Sequence, residues 1–232
     1  MFSNFFIKGF RDACGIPLIG LGLSMFTFGV YLKSSEFNLI QSFLSTFFAF
    51  ALPGQFIMVE SLISGANLLN IFFAVLFTNA RLLPMTMNII PTFKDKKINK
   101  ISYYIICHFI AVTAWVNYLA IYKKVSINNR YYYFVGLSAT LWIGSVLFTI
   151  LGFLLSSLFS HEILIGLVFF NPMYFLLMTI RNLINLKLKM VFFLSILLTP
   201  LLYMILNDWG IIISGLVSGS ISYFIFRKKK YE

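Results

Sequence analysis

The 232 residues are 60% apolar and only 11% charged, with a mean hydropathy of +0.91, whereas a soluble domain is about 45–50% apolar and about 25% charged. This excludes an ordinary soluble protein, and because each helical crossing of the bilayer core takes roughly 20 residues it leaves no room for a soluble catalytic domain. The excess of 18 Lys and Arg over 7 Asp and Glu, a net +11, reads as cytoplasmic loop anchoring and contact with anionic lipid. It does not read as a nucleic-acid footprint, since the basic residues sit mostly in short connections between apolar runs.

Apolar runs bounded by charge or turn residues fall at about 13–32, 38–64, 66–90, 98–122, 131–159, 162–181, 188–206 and 209–226. The runs are long and continuous, without the short alternating segments of a barrel. They predict an all-α, polytopic membrane helix bundle of about 7–8 transmembrane segments with proline-broken helices, a single transmembrane domain over residues 1–232. The first run follows Lys8 and Arg11 like a signal peptide, but it is too long and lacks a small-x-small cleavage site, so it reads as a retained span. Cys14 and Cys107 lie in or beside apolar runs and read as small buried hydrophobes, with no disulfide or metal framework.

Basic loops surround the fourth run, with Lys94, Lys96, Lys97 and Lys100 before it and Lys123, Lys124 and Arg130 after it. Further basic residues are Arg181, Lys187 and Lys189, then Arg227 to Lys230, while the connections at His161-Glu162 and Asn207-Asp208 are poor in positive charge. The positive-inside rule therefore puts the C-terminus in the cytoplasm. Two basic loops around the run 98–122 conflict with a full crossing there. Two solutions stand: eight simple crossings with one basic loop outside, or seven crossings with a re-entrant fourth run and an external N-terminus.

Pro17, Pro53, Pro84, Pro172 and Pro200 all fall within apolar runs. Proline inside a helix removes a hydrogen bond and frees an upstream carbonyl, which gives either packed kinks or broken helices that offer backbone groups to a midplane site. Pro53 and Pro172 are about half the chain apart, as are Pro84 and Pro200, the spacing two related halves would show; no sequence similarity accompanies it.

No phosphate-binding loop, H-E-x-x-H or G-x-S-x-G motif occurs, so hydrolysis of ATP by this chain and soluble-type catalysis find no support, and no cofactor is implied. His108 and His161 have no clustered carboxylates, and His108 reads as a packed, hydrogen-bonded side chain. Arg81 is different, because a cation inside an apolar run costs at least about 2.5–3.5 kcal/mol unless paired or facing water. With a chain reversal near 64–66, Glu60 sits roughly 7 Å from the turn and Arg81 roughly 24 Å, at different depths. Arg81 instead falls beside the stretch just before Leu52-Pro53-Gly54-Gln55, and with Asn79, Gly54 and Gln55 it makes one polar patch. Its planar fork suits a carboxylate; the alternative is a structural Arg held by backbone carbonyls.

The order Gly15-Ile16-Pro17, Phe50-Ala51-Leu52-Pro53-Gly54-Gln55-Phe56, Ser64-Gly65-Ala66 and Asn79-Ala80-Arg81 resembles the AzlC family, the large subunit of two-component branched-chain amino acid exporters. The resemblance covers essentially the whole chain and is strongest over 50–92. It implies an exporter of branched-chain or other small hydrophobic amino acids in the cell inner membrane, working with a small AzlD-type membrane subunit and without nucleic acid. Leu82 stands where the family usually has His, and Pro53 interrupts a stretch that is normally Ala and Gly. Thr113-Ala114-Trp115 stands at the family's Thr-Asp-Glu motif, and no acid occurs between Asp95 and Glu162. If those acids carry protons or ions in relatives, this chain couples differently, works uncoupled or moves another substrate.

The expected substrate site is therefore Arg81, Asn79, Gln55, Gly54 and Pro53. Trp115 and Asn117 join it if the fourth run is re-entrant, and Asn171 joins it if Asn171-Pro172 forms a second break. A reading from another class is a structural or assembly subunit whose Arg81 patch only holds helices together.

Overall fold

The computed structural model describes residues 2–93, 98–160, 162–163, 185–206 and 208–228, and positions 166–183 in part. The described secondary structure is helical, without a strand. The chain forms two compact units, Met1–Tyr174 and Phe175–Glu232.

The first unit contains α1 (Phe2–Ala13), α2 (Ile16–Ser34), α3 (Leu39–Phe48), α4 (Leu52–Ile63), α5 (Leu68–Asn79), α6 (Leu82–Ile89), α7 (Lys100–His108), α8 (Val112–Ile121) and α9 (Arg130–Leu155). Its axis is α9, whose 26 residues give a rod long enough to cross a bilayer. Hydrophobic burial cannot drive helices together in lipid, so association depends on close packing and interhelical hydrogen bonds. Glycines supply the closeness. Gly152 lies on the backbone of Phe26 and Gly29 on the backbone of Thr149 and Phe153, while Gly9 and Gly136 seat α1 on α9. Leu18 meets Gly144, Gly22 meets Phe148 and Phe26 meets Gly152, a progression that makes α2 run parallel to α9.

Prolines start helices more often than they kink them. Pro17 and Pro53 occupy the first or second position of α2 and α4, where no intrahelical N–H bond is lost, and Pro84 is in the first turn of α6. The expectation that each removes an internal bond is corrected for these three. Their rings exclude the carbonyl four residues upstream, which is Ala49 for Pro53 and Ala80 for Pro84, and the chain breaks there: at 49–51 between α3 and α4, and at 80–81, where α5 and α6 meet at 43°. Pro200 alone among the described residues sits inside a helix, and Pro172 lies outside the described residues.

The fourth run is not straight: Ile101–His108 and the segment beginning at Val112 are bent by 114°, which favours the re-entrant solution. The second run also folds back, since Gln55 on α4 bonds Ser45 and Thr46 on α3 at 3.3 and 3.1 Å, whereas a continuous helix would separate them by roughly 14 Å. The α4–α5 reversal turns at Gly65, with φ +70°, a conformation glycine adopts without strain. Asn67 caps α5 by accepting from the Asn70 N–H at 2.8 Å.

The second unit pairs α10 (Leu186–Leu206) with α11 (Asp208–Lys228). Hydroxyls join them: Thr199 with Ser214 and Ser195 with Ser218, both at 2.7 Å, and Ser222 donating to the Lys187 carbonyl at 3.1 Å. Cys14 and Cys107 are free and exposed, which corrects the expectation that they are buried.

Gly152→Leu should separate α2 from α9. Overpacking of this kind costs about 1–3 kcal/mol, so thermal denaturation in detergent should show a lower midpoint, while Gly166→Leu, at a position with no neighbour within 4 Å, leaves it unchanged.

Candidate substrate site at the helix breaks

Breaking a helix in lipid leaves carbonyls that must find donors, each costing several kcal/mol if left alone. At the α3–α4 break, the Phe47 carbonyl accepts from His108 Nε2 at 2.9 Å and from Trp142 Nε1 at 3.1 Å. A carbonyl can only accept, so His108 carries its proton on Nε2. The rings of Phe47, His108 and Phe109 lie 4.7, 5.9 and 5.3 Å from that of Trp142. The tips of the two folded-back pairs therefore touch, with His108 from one holding a carbonyl of the other. His108 is a packed, hydrogen-bonded side chain, as its sequence setting suggested.

Beside this junction runs a directed chain of hydrogen bonds. Gln55 Nε2 donates to Thr46 Oγ1 at 3.1 Å, Thr46 pairs with Thr149 Oγ1 at 3.0 Å, and Thr149 donates to the Ser145 carbonyl at 2.9 Å. Because the Thr149 proton is committed to Ser145, Thr46 is the donor of the middle bond. Gln55 is 1% exposed, both its N–H groups are used, and its Oε1 is buried without a partner.

Of the predicted neighbours, Asn79 and Gly54 meet. The Asn79 side-chain amide lies flat on Gly54, so close that a methyl group there would be 2.7 Å from its Cγ, and Asn79 Oδ1 is likewise buried and unpaired. Pro53 is half-buried in the same helical turn. Arg81 follows the end of α5 at the start of α6 and is exposed on this unit, with no hydrogen-bond or carboxylate partner among the described residues. No backbone carbonyl seals it. Glu60 is one turn from the α4–α5 reversal, at the far end of the pair from Asn79, as the depth arithmetic required.

Trp115 is half-buried in the first turn of α8, its Nε1 without an acceptor. Asn117 donates from Nδ2 to the Thr113 carbonyl of its own helix at 2.8 Å. Asn171 lies outside the described residues. Sequence reasoning missed Thr46, Thr149 and Trp142. Their partners are on α4, α3 and the α3–α4 break, and no local pattern announces such pairings. In the second unit, Phe192, Ser195, Ile196, Thr199, Pro200 and Tyr203 line a hollow of ≈480 Å³ along α10.

Long apolar helices and two bent helix pairs define the class, a multi-pass membrane protein. The family model described as AzlC protein matches residues 17–159, more than half of the chain, from the second residue of α2 to beyond the end of α9, and the chain belongs to the AzlC family, which makes it transport-related. No curated protein and no solved structure matches it.

A double-mutant cycle on Thr46→Val and Thr149→Val, followed by denaturation in detergent, should give a coupling energy of about 0.6 kcal/mol, the average for hydroxyl pairs between membrane helices. A zero coupling would mean that the pair carries none of the packing.

Proposed function

We propose that the chain is a secondary transporter that exports branched-chain or other small hydrophobic amino acids by alternating access, one transporter domain in the cell inner membrane with its C-terminus in the cytoplasm. Membership of the AzlC family supports a transport role, and the substrate class and the small AzlD-type membrane subunit are what the resemblance to that family implies. The observation that carries the site is the pair of buried, unpaired amide oxygens, Gln55 Oε1 and Asn79 Oδ1, at the first turn of α4. A buried acceptor without a donor is costly, and an arriving ammonium group relieves both. Arg81, open and unpartnered one residue beyond Ala80, supplies the fork for the carboxylate, and apolar side chains receive the aliphatic part. Pro53 and Gly54 matter through the backbone: one starts the helix, the other lets Asn79 close onto it.

The experiment is efflux of radiolabelled leucine, valine, methionine and alanine from vesicles containing the chain with and without its small subunit. Arg81→Ala should lower leucine efflux about 10- to 100-fold, the worth of one hydrogen bond to a charged group, with Arg81→Lys in between. Wild-type flux in a well-folded Arg81→Ala protein would leave the patch a structural role, and no flux of any of the four amino acids would remove the exporter.

A further inference from the structure

With α9 as a ruler, each element of the first unit can be assigned a depth. Tyr131 and Phe134, near its start, pack against Phe93 with ring centroids 6.0 and 5.4 Å away, and the same level holds Tyr103, whose hydroxyl donates to the Phe93 carbonyl, and Tyr118. Arg130 donates to the Tyr122 carbonyl there at 2.9 Å. Trp142, near the middle, marks the level of Phe47, His108 and Phe109. Thr149 and Phe153, toward the end, mark that of Thr46, Gly29 and Lys33, whose ammonium lies over the Phe153 ring at 5.0 Å.

On this scale α7 climbs from the start of α9 to its middle and α8 returns to the start. The α3–α4 pair mirrors it from the other end: α3 runs inward to the Trp142 level, and α4 returns outward, placing Phe56 against Phe28 and Tyr31 on α2 at 5.0 and 5.2 Å. Because α2 is parallel to α9, the basic residues before each, Lys8 and Arg11, and Lys123, Lys124 and Arg130, belong to one face. Phe93 and Tyr103 put the residues just after α6 and the start of α7 at that face as well. That face, with Lys8, Arg11, Lys123, Lys124 and Arg130, is then cytoplasmic, both ends of the run 98–122 lie on it, and the conflict around that run disappears without an external N-terminus.

We propose that residues 38–64 and 98–122 are half-membrane hairpins entering from opposite faces, and that the transported solute is held where their tips meet. This rests on the transporter reading and adds to it the place and the second half of the site. Both α4 and α8 begin at the tips, so both positive helix ends face the midplane, and neither is capped by a side chain. Among the described residues, the buried side-chain polar atoms without a partner are three, and all three lie at these two first turns: Gln55 Oε1, Asn79 Oδ1 against Gly54, and Trp115 Nε1. Free N–H groups and the indole donate to a carboxylate, and the two amide oxygens accept from an ammonium. Together with the open Arg81 guanidinium of the proposed reading, the arrangement takes a zwitterionic amino acid without a buried ion in the protein.

Single cysteines at Ser34, Ser64, Asn99 and Asn128, placed in a Cys14→Ser/Cys107→Ser background, test the topology with a membrane-impermeant maleimide on right-side-out and inverted vesicles. Ser34→Cys and Ser64→Cys should label from outside, and Asn99→Cys and Asn128→Cys from inside. A pair split between the faces makes that run a crossing and overturns the proposal. Binding of leucine to the purified complex tests the site: Trp115→Phe should weaken it at least fivefold, with Ile143→Ala as a lipid-facing control. Unchanged affinity in Trp115→Phe removes α8 from the site, while absence of leucine binding by the unsubstituted protein defeats the exporter reading and leaves the labelling result to judge the hairpins alone.

Discussion

One carbonyl oxygen organises the first unit. Phe47 ends a half-helix in the middle of the unit, where no water is available to satisfy its backbone, and its oxygen takes one proton from His108 and another from Trp142. Those donors come from the neighbouring folded-back pair and from the central helix α9. Three elements far apart in sequence are thus fixed at one point by the need of a single acceptor. Two donors also make the junction tolerant: withdrawal of His108 leaves Trp142 in place, so one pair can move against the other without stranding the carbonyl.

Around that point the helices hold together by means suited to lipid. Large side chains crowd the outside, where Leu68 is 81% exposed and Met204 84%, and the contacts within are made by glycines and hydroxyls. The closest approaches are backbone on backbone, at Gly29, Gly152, Gly9 and Gly136. The buried polar residues of the first unit are Ser, Thr and one Gln, with no carboxylate among those described. The second unit follows the same rule, with Ser214, Ser218 and Ser222 along one face of α11. Each hydroxyl is worth about 0.6 kcal/mol, too little to hold a pair of helices alone, so the glycine seams and the hydroxyls have to act together.

Composition and run length made the helical membrane class legible, and the quoted motifs made the family legible. The Gly54–Asn79 neighbourhood was legible too, because it follows from a turn at Gly65 and a constant rise per residue. The folding back of 38–64 was not. Its apolar length equals that of a crossing, and the signal at Pro53 says only that the chain breaks near Ala49, not by what angle. The break before α8 has no proline or glycine between His108 and Val112; it is fixed by Phe109 and His108 packing on Trp142, a partner that sequence spacing does not reveal. Proline spacing misled in another way: Pro84 marks a helix start and Pro200 sits inside a helix, so a repeat read from that pair compares unlike features.

The absence of acids between Asp95 and Glu162 looks different once the tips are in view. A protein carboxylate at the midplane would need its own counter-charge, and the Arg81 guanidinium, open at the surface of the unit, is left for the carboxylate of the solute on the proposed reading. Uncapped helix starts and amide oxygens present both signs of partial charge with no net charge. On the proposed reading such a neutral site costs little to leave empty and gains most from a solute carrying both a carboxylate and an ammonium. That matches a zwitterion better than a lone anion or cation, for which only half of the unpaired atoms would find a partner.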